Sequence, residues 1–337
     1  MGLFDRLFGR QPAAGGDPLL GKALDRTVEV VEPKLALARD WRRRLAPGVQ
    51  AAIEIARSGA QCLREVHDLS VANWSSDPLL RAAFASADSI TDVLARMREL
   101  QRFMRAPGAG SEAYAVLGMA FEKRKVLGAA LVGDEVRHEV ERTQVSFGDH
   151  RIRIVAADAE AMRRAAGVRL FNELLLGVTR ELARADERRK ELNVERALLQ
   201  ARLRMLEHRE DALLAELVGR DDTGAGSPAE HAEMQRRLDE LNAAMAQFGG
   251  GTEGLDRQLE IVRDALLSAR ELVRIEACRL RLDAMNTLLD ESQPAGRTIE
   301  FVQVQAPGIT RAVAAVRLQR ADLPDGGLSI SAVERTL

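Results

Sequence analysis

Phe171–Leu217 reads FNELLLGVTRELARADERRKELNVERALLQARLRMLEHREDALLAEL. Counting from Phe171 in threes and fours gives d positions Phe171, Val178, Ala185, Leu192, Leu199, Leu206 and Leu213, all apolar. The a positions are Leu175, Leu182, Arg189, Arg196, Leu203, Glu210 and Leu217. Eleven of these fourteen positions are apolar over seven heptads, beyond the roughly three or four heptads that define a coiled-coil seam. The g positions Glu181, Arg188, Glu195, Arg202, Arg209 and Glu216 carry charges of both signs, as a coiled-coil flank does. At about 1.5 Å per residue such a helix is roughly 70 Å long and cannot bury its stripe against itself. It needs a partner.

The partner is expected in the same chain. GRDDTGAGSP, residues 219–228, reads as a loop, and a second heptad run follows at Met234, Leu238, Leu241, Met245 and Phe248. Gly249–Gly254 breaks that run. A third helix is expected over 255–291 on Leu255, Leu259, Val262, Leu266, Val273 and Leu280. These lengths predict an antiparallel hairpin over 158–291, outgoing through 158–218 and returning through 229–248 and 255–291.

Upstream, 18–121 reads as a helical domain. Pro33 splits or kinks its first helix, Pro47-Gly48 is a break, and Asp77-Pro78 starts a helix running to about 105. A short helix is expected over about 111–121. The period then changes. Residues 122–157 read as a β-hairpin and strand, with a permitted Gly133-Asp134 turn and another turn at Gly148-Asp149. Arg151-Ile-Arg-Ile-Val155 alternates. Residues 297–322 read as a second hairpin, and 323–337 as a tail. The predicted fold is mainly α: a helical N-terminal region and a long coiled-coil hairpin, with a small antiparallel β-sheet at its base.

Composition limits the function. Charged residues make up 30% and aromatics 4%, which suits a helical, elongated chain better than a large enzyme core. The net charge of −2 gives no global field for nucleic acid, so that partner is not expected. Arginine outnumbers lysine 44 to 5, as high genomic GC produces without functional selection. Cys62 and Cys278 stand on separate predicted helices and read as free thiols in a reducing cytosol. No stretch approaches the ~18 apolar residues of a membrane span, and no signal peptide is recognisable.

Familiar motifs fail on context. Gly16–Lys22 has phosphate-loop spacing, but Ala23 stands where a hydroxyl is needed and no strand precedes it. Gly249–Gly254 satisfies G-x-G-x-x-G after a helix rather than a strand. His138-Glu139 opens like a zinc-protease motif, but Arg142 replaces the second histidine. Trp41-Arg42-Arg43-Arg44 reads as a solvated helix face. Asp149-His150 is the only polar pair placed to join a site. No cofactor, metal or catalytic residue is expected.

Residues 1–10 form an amphipathic stretch, with Leu3, Phe4, Leu7 and Phe8 on one side and Asp5, Arg6 and Arg10 on the other. Residues 11–17 are its linker. Such a helix lies in an anionic membrane interface, and several copies in an oligomer multiply its affinity. Met1-Gly2-Leu3-Phe4-Asp5-Arg6 resembles the opening of the phage-shock protein A and vesicle-inducing family. The resemblance covers about six of 337 residues and is one of layout rather than descent. It implies a peripheral membrane scaffold with a helical hairpin. The expected function is a non-enzymatic cytoplasmic structural or adaptor protein. Its coiled-coil arm binds itself or another coiled-coil protein, and its N-terminal helix contacts the inner membrane. The alternative is an enzyme or ligand-binding domain within 18–157, dimerised by the arm.

Overall fold

The structure is a computed structural model describing residues 18–108, 110–132, 135–215, 228–246, 252–290, 296–306 and 308–323. Residues 1–17, with Leu3, Phe4, Leu7 and Phe8, and Leu217 of the seam lie outside them. So does Gly249–Gly251.

The expectation of a small sheet at a hairpin base is overturned. The described residues are 58% helical, but about 27% lie in a curled six-stranded sheet that forms a substantial β domain. Contacts divide the chain into two compact units. The first holds residues 52–174 and 269–323 of the described chain; the second holds 18–51 and 175–268.

In the first unit the strands are β1 (Val66–Asp68), β2 (Glu112–Val132), β3 (Glu135–Ala156), β4 (Arg274–Leu282), β5 (Arg297–Ala306) and β6 (Ile309–Gln319). They run in the order β3-β2-β6-β5-β4, antiparallel throughout, while β1 adds to β6 in parallel. The helix expected over 111–121 is the first half of β2. Ala113, Ala115, Leu117 and Met119 are buried on one face of it and Val116 on the other. A strand covered on both faces loses the alternation by which strands are recognised. The end of the helix expected over 255–291 is β4: Cys278, Leu280 and Leu282 alternate with Arg279 and Arg281 as a strand does, although Val273 and Leu280 also keep the seven-residue spacing of a helix.

The turn expected at Gly148-Asp149 is a bulge inside a continuous strand. Gly118 pairs with Arg151 and Ala120 with Gly148, so β3 carries one extra residue there. A second bulge lies between the Tyr114–Ala156 and Val116–Arg153 pairs. Asp149 and Ile154, one in each bulge, adopt φ of 46° and 59°. Bulges bend and twist the strand that bears them. The curl brings the chain after β4 onto the free edge of β3, where Val145 N–H donates to Asn286 O and Leu288 N–H to Thr143 O, each at 2.8 Å. The concave face holds Phe121, Phe147 and Phe301, with ring centroids 5.1–5.7 Å apart.

Three short helices fill that face: α3 (Pro78–Ala83), α4 (Ala87–Arg96) and α5 (Arg98–Arg105). They replace the single helix expected from 78 to 105, since Ser86 caps α4 and Met97 ends it. The other face carries Ala60 of α2 (Trp41–Gln61), Leu63 just beyond its end, and Met162 and Ala166 of α6 (Ala159–Ala215).

The second unit is helical: α1 (Pro18–Val31), residues 41–51 of α2, α6 from 175, α7 (Pro228–Ala246) and α8 (Thr252–Leu267). Pro33 begins a short 3-10 turn, Pro33–Leu37. The break expected at Pro47-Gly48 is absent, and α2 runs through both residues. A Cβ on Gly48 would stand 2.8 Å from Arg263 O and 3.0 Å from Leu266 Cβ, so the glycine lets α2 and α8 approach closely. Beyond α8 the described residues add a single helical turn, α9 (Ala269–Leu272), and a 3-10 turn, Arg320–Asp322.

Candidate functional site

The arm is built by α6 and its return. Phe171, Leu175, Val178, Leu182, Leu192 and Leu203 are buried; Leu199 is half-buried. The side chains of Leu206 and Leu213 lie outside the described set. On α7, Leu238 and Leu241 are buried, and Arg237 bonds Glu195 of α6 at 3.0 Å. Further along the return, Gly254 lies against Arg189: a Cβ there would stand 3.8 Å from its guanidinium. Chain position rises along the return as it falls along α6, so the pairing is antiparallel within one chain. Arg189 and Arg196 are half-buried.

A second apolar row on α6 escapes the a/d count. Val194, Leu198 and Met205 occupy f and c positions and are 60%, 67% and 69% exposed. Their spacing of four and seven residues, with Ala197 and Ala201 between, sets them in one line along the helix. Glu195, bonded by Arg237, flanks one side of this row and the exposed Arg204 flanks the other.

The sequence-highlighted polar groups are committed to structure. Arg42 lies over the Trp41 ring and bonds Asp25, and Arg44 bonds Asp256. Asp149 accepts from Arg151 at 2.8 Å and Arg311 at 2.6 Å, which holds its carboxyl below the ordinary range. His150 stacks on Phe84 at 4.4 Å, and its Nε2 meets Ala83 O at 2.9 Å. Burial pushes its pKa below the usual imidazole value, against the Ala83 bond and the Asp149 charge. A neutral ring donating to a carbonyl fits that geometry. Gly21 and Lys22 lie within α1, and His138 lies in β3, so neither motif acquires its needed context.

Two clefts open in the first unit. One sits where the sheet forks: β6 pairs with β5 as far as Val313 and with β1 from Ala315 onward. The resulting cavity, about 530 Å³, is lined by Cys62, His67, Cys278, Arg279 and Glu300 among others. His67 Nδ1 meets Asp77 Oδ2 at 2.8 Å. Asp77 also accepts from the N–H groups of Leu79 and Leu80 at the start of α3. Burial alone would raise its pKa; the His67 bond and the two backbone donors outweigh this and lower it. Burial pushes the Cys278 thiol up; Lys123 opposes the rise and Glu276 adds to it. Cys278 packs toward the concave core and Cys62 toward the opposite face, so they form no dithiol. A protonated thiol is a poor nucleophile. No group of three metal-ligating side chains occurs among the described residues.

The other cleft, about 580 Å³, lies between the α4–α5 junction and β3. Arg96, Arg98, Arg151 and Arg153 line it with Glu99 and Asp149, over an apolar wall of Val93, Met97 and Ile152. Glu99 is 3.7 Å from Arg153. The alternation of Arg151-Ile-Arg-Ile set two of these arginines on one face; nothing in the sequence brought α4 and α5 beside them. No family model, curated protein or solved structure matches the chain.

Proposed function

We propose that the chain is a non-enzymatic scaffold whose helical arm binds a second copy of itself. The observation that carries this reading is the exposed row Val194, Leu198 and Met205 on the back of α6. A contiguous apolar row on an otherwise charged helix marks a docking face. The a/d seam is occupied by the return arm, so this row is what remains for a partner. A two-fold pairing of identical rows is self-complementary. Crossed antiparallel about a point between Leu198 and Ala201, Val194 meets Met205 of the second copy and Leu198 meets its Ala201. Exposed ion pairs contribute little energy, so the apolar row supplies the affinity and salt changes it only slightly.

The N-terminal stretch fits the same reading. Leu3, Phe4, Leu7 and Phe8 contribute one marginal membrane anchor per chain, and pairing doubles it. Chemical cross-linking of the full chain tests the arm. Wild type is expected to yield a dimer that Leu198→Lys with Met205→Lys removes at unchanged helix content; equal cross-linking in both refutes the face. Co-sedimentation with phosphatidylglycerol vesicles tests the anchor, which should be lost when residues 1–10 are deleted.

A further inference from the structure

We infer that the cleft between α4–α5 and β3 binds a small ligand carrying phosphate groups on an apolar or aromatic body, of nucleotide size. This goes beyond the scaffold reading and stands independently of it.

Four of the ten lining residues are arginine, against 44 of 337 in the chain. Compositional bias alone would give one or two, so the clustering is a property of this place. The charges are unevenly engaged. Arg151 is held by Asp149, whose second partner is Arg311. Among the described residues Arg153 pairs with Glu99 alone, at 3.7 Å. Arg96 and Arg98 make no ion pair among the described residues, so two guanidinium groups face the cleft with their charge uncompensated. Arginine's planar fork suits bidentate contact with phosphate oxygens.

Backbone geometry favours the same ligand. No side chain caps the N-terminus of α5 at Met97. The first-turn N–H groups of Arg98 and Glu99, both lining residues, therefore lack a side-chain acceptor. Open N–H donors at a helix start add to an anion site. The bulge at Asp149 sits in the opposite wall, and bulges re-aim side chains beside sites. Val93 and Met97, both half-buried, offer an apolar wall for the body of the ligand. Cationic groups stand on two facing walls of a concave space. That suits an enclosed small molecule better than the flat face of a bilayer.

Calorimetric titration of the full chain at low salt tests the site, with inorganic pyrophosphate and ATP as separate probes. Both should bind, ATP more tightly because it also uses the apolar wall. Arg96→Glu with Arg98→Glu should weaken both by about tenfold or more, since two opposed charges are introduced. Glu99→Gln should tighten both about two- to fivefold by freeing Arg153 and removing a repelling carboxylate. Arg57→Glu, an exposed site on α2, should leave them unchanged. These positions are exposed, and circular dichroism checks that each variant folds. Failure of both probes to bind, equal loss in Arg57→Glu, or wild-type binding in the double variant overturns the inference. So does double-variant loss of binding to phosphatidylglycerol vesicles while neither soluble probe binds wild type, which would assign the arginines to a lipid surface.

Discussion

Glycine at an internal helix position ordinarily weakens the helix, and two glycines of the second unit separate that rule from its exception. Gly21 lies within α1, and nothing stands within 4 Å of where its Cβ would go. Gly21→Ala should therefore stabilise the unit by about 1 kcal/mol, the usual helix-propensity gain. Gly48 occupies α2, where the same gain applies, but a Cβ there meets Arg263 O at 2.8 Å and Leu266 Cβ at 3.0 Å. The first obstacle is backbone and cannot rotate away. Forcing α2 and α8 apart carries an overpacking cost of about 2–3 kcal/mol. Set against the ~1 kcal/mol gain, Gly48→Ala should lose about 1–2 kcal/mol. Urea unfolding followed by circular dichroism reads both, with unchanged m-values showing that the denatured state is not the cause. Opposite signs are required. A Gly48→Ala protein as stabilised as Gly21→Ala would show that the helices are not in contact at Gly48.

Acidification tests His150. Its folded pKa is depressed by burial, so the unfolded chain takes up the proton first as pH falls. The associated stability is complete above about 6.5, the unperturbed value, and is lost as pH falls toward the folded value. The urea midpoint should drop over that window in wild type and stay level in His150→Gln. Asp77→Ala should cost about 1 kcal/mol through loss of the α3 cap, whereas Asp77→Asn keeps the acceptor and loses less; equal losses would assign the effect to charge. Arg189→Leu with Arg196→Leu should stabilise the arm, because half-buried charge on a seam is unfavourable relative to apolar packing. Unchanged unfolding would mean that these positions face solvent. Leu192→Ala should cost about 2–4 kcal/mol as a buried seam deletion, read by the same unfolding curve.

The long helix α6 was legible because apolar residues in threes and fours over some fifty residues fit a helix and no strand. The sheet was less so. The first half of strand β2 is covered on both faces and is built largely of alanine, with Val116 as its one β-branched residue, so it presents little alternation. Strand β4 carries a leucine spacing that a helix shares. The bulge at Asp149 uses residues that also make turns, and only pairing with Gly118 and Ala120 tells the two apart. Candidate site residues divide along the same line. Val194, Leu198 and Met205 were present in the heptad count but lay off the seam being sought. The arginine cleft needs α4–α5 and β3 side by side, a tertiary juxtaposition that no local period encodes. Pro47-Gly48 misled for a related reason: a helix held by packing on α8 tolerates both residues.

The central claim is that the arm pairs with a second copy through its back row. Sedimentation equilibrium of the full-length chain over a concentration series measures this most directly. Pairing requires a mass that rises from one chain toward two, a rise that persists at high salt, and a constant single-chain mass for Leu198→Lys with Met205→Lys. A single-chain mass for wild type at every concentration and salt would contradict it.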